Sequence, residues 1–121
     1  MEKYTRMSAI QITPQFWQEM EELNENLAIV EHDLTIYTEG LSALEKQLMK
    51  EFDERQYQGD GKRLPEYLQR REAKADPRYN AAIRAKARVV AKRILIRGKL
   101  EMMKMQFDEW RTRSANKRGM L

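Results

Sequence analysis

Residues Phe16–Leu48 read FWQEMEELNENLAIVEHDLTIYTEGLSALEKQL, and the fold turns on the spacing of their apolar positions. Phe16, Met20, Leu23, Leu27, Val30, Leu34, Tyr37, Leu41, Leu44 and Leu48 recur at alternating intervals of four and three. That average of about 3.5 residues lines the side chains up as one stripe on an α-helix, the pattern by which helices pack as coiled coils. Leu23, Leu27, Val30, Leu34, Tyr37, Leu41, Leu44 and Leu48 are therefore the residues expected at an oligomerisation seam. Gly40 falls off the stripe, costs about 1 kcal/mol of helix propensity and is a place for a bend.

Punctuation on either side bounds this helix. Thr13-Pro14 is a start signal: Thr caps, and Pro at the first helical position loses nothing by lacking an N–H. Residues 1–12 lack helical periodicity and read as a mobile arm. Downstream, Gly59-Asp60-Gly61 is a turn signal, so the acidic helix is expected over 13–54 and a basic loop with a short helix from Pro65 over 55–75. Asp76-Pro77 repeats the cap-plus-Pro signal and opens a second long, basic helix over 76–112, followed by a basic tail over 113–121. In that helix Tyr79, Ile83, Ala87, Val90 and Ile94 form one apolar stripe. Beyond Gly98 the stripe resumes out of step as Ile96, Leu100, Met103, Phe107 and Trp110, which predicts a stutter or kink near Gly98. The expected fold is all-α, a single domain built as an antiparallel helical hairpin. With 35% charged residues, such a hairpin has little apolar material for a private core and completes it by homo-oligomerisation.

Composition narrows the chemistry. The 121 residues contain no Cys and one His, which removes disulfides, thiolate metal sites and every nucleophilic triad that needs His with Cys or Ser. His32, between Glu31 and Asp33, reads as a solvent-exposed helix residue, and no phosphate-loop, dinucleotide or calcium-loop motif is present. An enzyme is not expected, nor a cofactor or metal. Neither a signal peptide nor a membrane span is visible, the densest apolar run being Ile94-Leu95-Ile96; the expected setting is the cytoplasm, that of the host cell if the chain is phage-encoded.

The net charge of +4 conceals a dipole. Residues 1–54 carry 4 Lys/Arg against 12 Asp/Glu, a net of −8, while residues 55–121 carry 19 against 7, a net of +12. A basic half suits an anionic partner, and an acidic half suits a protein or another part of the same chain. Around the central turn Arg55, Lys62, Arg63, Arg70 and Arg71 alternate with Tyr57 and Tyr67. On the last helix Lys86, Arg93, Arg97, Lys104 and Arg111 form a one-sided stripe, with Arg84, Arg88 and Lys92 as a neighbouring row. Cations for phosphates and flat rings for bases are what sequence-tolerant binding of single-stranded nucleic acid requires. The opposing reading is a charged face that is merely solvated, or paired with the acidic helix.

The order of these features resembles the UvsY-type recombination mediators of tailed phages. The likeness is carried by ITPQFWQEMEELNENLAIVEHDLTIY, LEKQLMKEF, QYQGDGKR, DPRYNAAIRAK and WRTRSANKRG, and the family's basic pair before the turn has loose counterparts in Lys50 and Arg55. The resemblance implies a ring-like homo-oligomer that binds single-stranded DNA without sequence preference. It also implies two protein partners, a RecA-like recombinase whose filament it helps to form and the single-strand-binding protein displaced in the process. On this reading Lys50, Arg55, Tyr57, Lys62, Arg63, Tyr67, Arg70, Arg71, Arg93 and Arg97 are the candidate DNA contacts. Two alternatives stand beside it: a coiled-coil interaction, assembly or host-inhibitor module, and a duplex-DNA-binding packaging subunit.

Overall fold

A computed structural model describes residues 12–119 of the chain, so the expected mobile arm lies almost wholly outside the described residues. Three helices follow in order, α1 (Pro14–Asp60), α2 (Glu66–Ala75) and α3 (Pro77–Gly119), and no strand occurs among the described residues. The fold is all-α, as the periodicity predicts.

The caps form as read. Thr13 Oγ1 accepts the N–H of Phe16 at 3.2 Å, satisfying one of the orphan donors at the start of α1. Asp76 does the same for α3, its Oδ1 accepting the N–H of Arg78 at 2.8 Å. At its far end α1 does not stop at residue 54 but runs to Asp60, carrying Arg55 and Tyr57 on its last turns. Gly59 fits the helix, and only Gly61 needs a left-handed backbone, with φ +74°. Its N–H closes on the Tyr57 carbonyl at 2.8 Å, the single-bond left-handed helix terminus that glycine favours. At the other end of the chain, residues 113–119, expected as a tail, continue α3.

The chain divides into two compact units, and α1 and α3 each contribute to both. One unit spans Val30–Lys92; the other joins the chain up to Ile29 to the chain from Arg93 onward. In the first, Leu48 is wholly buried and Val30 nearly so, and Ala73 brings α2 into the same interior with no exposed surface. Glu51 meets Arg78, while Tyr37 shares a groove with Ala85, Arg88, Val89 and Lys92, so α1 and α3 run antiparallel there. In the second unit Leu23 and Met103 are buried. Trp17 and Phe107 meet edge to face at 5.3 Å, Phe16 flanks Trp17 at 5.4 Å, and Trp110 stacks on Phe107 at 5.9 Å.

The α1 stripe is thus the packed face: Leu23, Val30 and Leu48 are buried, and Leu27, Leu34, Leu41 and Leu44 are half-buried within one chain. Tyr37 differs, standing 40% exposed. The predicted stutter in α3 is absent. Its helix is unbroken through Gly98, and Ala82, Lys86, Val89, Arg93, Ile96, Leu100, Met103 and Phe107 are all half-buried or buried in a single 4-3 register. Of the stripe Tyr79, Ile83, Ala87, Val90 and Ile94, Tyr79 and Val90 are half-buried, whereas Ile83, Ala87 and Ile94 are exposed, Ile94 to 63%. Lys86 and Arg93 are half-buried at two positions of the 4-3 spacing. Their aliphatic stems can pack while the charges reach the edge.

Candidate nucleic-acid interface

The candidate residues on α1, the connector and α2 all belong to the unit Val30–Lys92, whereas Arg93 and Arg97 belong to the other unit. Within the connector, Asp53 organises the chain after Gly61. Its two carboxylate oxygens accept the Leu64 N–H and the Arg63 guanidinium, each at 2.9 Å, so residues 63 and 64 are latched to α1. Asp60 folds the turn itself, accepting the Lys62 N–H at 3.0 Å and a bond from the Gln56 side-chain amide.

This latch sorts the predicted cations. Arg63 is engaged twice, by Asp53 and by the ring of Tyr57, over which its guanidinium lies at 4.6 Å. Arg70 pairs with Glu66 at 3.0 Å, one turn back on α2, and Arg71 approaches Glu72 at 3.9 Å. Arg78 is committed to Glu51 and Asp76. Lys50 and Lys62 are exposed with no ion pair among the described residues, and Arg55 lies over the Phe52 ring at 4.9 Å. The rings are presented rather than packed, Tyr57 being 50% and Tyr67 71% exposed. Arg55 also borders a small groove of about 280 Å³ with Phe52, Gln56, Leu64 and Glu72.

A second basic–aromatic surface emerges on the same unit. Arg84, Arg88 and Lys92 are exposed, follow one another at four-residue steps, and make no ion pair among the described residues. Arg88 and Lys92 line a groove of about 220 Å³ with Tyr37, Ala85 and Val89. Sequence reasoning assigned Tyr37 to the packed stripe; its 40% exposure puts its ring within reach of a ligand instead. The readable signal was the composition of α3, where Pro77–Lys99 holds eight Lys/Arg and no Asp/Glu. No carboxylate on that stretch can neutralise the row.

The electrostatic anchor of the unit is Arg78. Hydrogen bonds from its guanidinium hold the carboxyl groups of Glu51 and Asp76 below their ordinary values, with the backbone N–H of Arg78 adding to the effect on Asp76. The two carboxylates in turn raise Arg78 above its ordinary value. Among the described residues no group of three or more His, Cys, Asp or Glu is placed to hold a metal ion, and no helix is long and apolar enough to cross a membrane.

No protein-family model matches the chain, nor does any curated protein or solved structure.

Proposed function

We propose that this chain binds single-stranded DNA without reading its sequence and works as a homo-oligomer. The observation that supports this best is the row Arg84, Arg88 and Lys92 beside the exposed ring of Tyr37, on a helix stretch with no acidic residue. Cations at four-residue steps sit about 6 Å apart along a helix, a charged edge that a phosphate backbone can follow. An adjacent ring stacks on any base, so the affinity gained is indifferent to sequence. Lys50, Arg55 and Lys62, with Tyr57 and Tyr67, extend the same chemistry around the connector. Helping a RecA-like recombinase to form its filament by displacing a single-strand-binding protein is the role that the resemblance to UvsY-type mediators implies. The acidic surface of α1 is the part suited to such protein partners.

Fluorescence anisotropy with a labelled oligothymidylate, titrated across salt concentrations and competed with duplex DNA, tests this reading. Strong, salt-sensitive binding that single strands compete for better than duplex supports it. No binding at low salt removes the DNA role and leaves the interaction-module reading, which the outward apolar face of α3 favours. Preference for duplex would favour a packaging subunit.

A further inference from the structure

The connector carries a cation that its own chain has already engaged. Arg63 Nη1 donates to Asp53 Oδ2 at 2.9 Å across ten residues of sequence, and its guanidinium lies 4.6 Å from the centre of the Tyr57 ring. The two partners of this ion pair differ in exposure: the Asp53 side chain is 18% exposed, that of Arg63 66%. Carboxylate and phosphate oxygens are the same kind of acceptor for a guanidinium, anionic and matched to its planar fork. A phosphate arriving from solvent therefore reaches an open Arg63 whose charge Asp53 already answers.

Neither partner needs the other to keep its place. Asp53 stands within α1, and its second oxygen, Oδ1, accepts the Leu64 N–H at 2.9 Å. Arg63 is kept at the connector by the Tyr57 ring as well. An exchange of acceptors thus requires no change of backbone: Leu64 stays latched, the ring retains the cation, and the ion pair alone is given up. A pair with so exposed a cation is weak, screened by salt and readily exchanged. Beside it Lys62 is exposed with no ion pair among the described residues, and draws an anion to the neighbouring position. We infer that Asp53 is an internal stand-in for phosphate: it occupies Arg63 in the free protein, yields it to the DNA backbone on binding, and so holds the affinity of the connector below what its cations alone would give. The inference rests on the single-strand reading above and adds the residue that sets its strength.

The test is Asp53→Asn in the full chain, which keeps an oxygen for the Leu64 N–H but no charge for Arg63. Oligothymidylate binding is followed by anisotropy across salt concentrations, with thermal melts as the check on folding. The variant is expected to bind roughly two- to fivefold more tightly at low salt, the scale of one surface ion pair. Its salt slope should steepen by as much as about 0.7, the value of one single-strand phosphate neutralised. Deleting any negative charge near DNA gives some gain in affinity, so two controls isolate the exchange. Asp60→Asn removes a charge from the same connector, where the carboxylate meets a backbone N–H and an amide, and should leave the slope unchanged. Adding Arg63→Ala to Asp53→Asn should abolish the steeper slope. In the wild type itself, oligothymidylate should shift the Arg63 Nε–Hε resonance while the Leu64 amide stays protected from exchange. If Asp53 serves structure alone, Asp53→Asn binds no more tightly and its slope does not steepen. That result overturns the inference and leaves DNA binding standing, as does an equal effect of Asp60→Asn, a steeper slope that survives Arg63→Ala, or an unmoved Arg63 resonance. Failure of the wild type and every variant to bind removes the DNA reading and the inference with it.

Discussion

Arg78 Nη2 lies 2.8 Å from Glu51 Oε2, tying the first turn of α3 to α1 across 27 residues of sequence, while the same guanidinium holds the helix cap Asp76. Both carboxyl groups are held below their ordinary values by this guanidinium. A depressed carboxyl contributes stability that is present above its unfolded pKa and is lost as pH falls through its folded one. The contribution is therefore expected in full at neutral pH and to fade below about pH 4. Arg78→Gln should lower the melting temperature at pH 7 and make stability less steep below pH 4. The neutral-pH effect should shrink in high salt, because the pair is solvent-exposed. Thermal melts of wild type and variant across pH and salt measure this.

Leu48 is the one large side chain with no exposed surface among the described residues. Truncation leaves a cavity that the surrounding helices can only partly close, so Leu48→Ala should cost about 2–5 kcal/mol. Urea unfolding at fixed protein concentration gives the value.

The two glycines of the central turn should respond in opposite directions. Gly59 is helical and a Cβ there meets nothing within 4 Å, so Gly59→Ala should stabilise by about 0.5–1 kcal/mol. Gly61 has φ +74°, where an L side chain is strained, so Gly61→Ala should destabilise by about 1 kcal/mol or more. Equal effects in denaturant melts would refute this assignment of the helix end.

For DNA binding, the pairing pattern ranks the cations. Removing Arg88 and Lys92 together should lower affinity and flatten the salt slope by about 1.4, roughly 0.7 for each single-strand phosphate left without its cation. Arg63→Ala should flatten it less and destabilise the connector more, since Arg63 already serves Asp53 and Tyr57. Tyr37→Ala should cost about 1–3 kcal/mol if its ring carries one stacked base. Anisotropy titrations at several salt concentrations separate these three outcomes.

Much of this architecture was legible in the residues themselves. The 4-3 spacing from Phe16 to Leu48 set the packed face of α1, Tyr37 apart, because its apolar side chains form one stripe. Thr13-Pro14 and Asp76-Pro77 marked helix starts because a cap is local chemistry, decided within three residues. The end of α1 was not legible: two glycines stood together, and only the backbone distinguishes Gly59, which is helical, from Gly61, which is left-handed. Nor could the sequence tell Arg63, latched by Asp53 ten residues away, from Lys62, whose side chain makes no ion pair among the described residues.

Helix α3 draws the boundary most clearly. Its sequence alone fixed that it is basic, helical and apolar on more than one side. Periodicity could not choose between Ile83, Ala87 and Ile94 on one side and Ala82, Lys86, Val89 and Arg93 on the other, and the richer stripe suggested the first. Packing chose the second. The reason is physical: which of two apolar sides is covered depends on what packs against it, and only the folded chain shows Ala82, Lys86, Val89 and Arg93 half-buried while Ile83, Ala87 and Ile94 stand exposed.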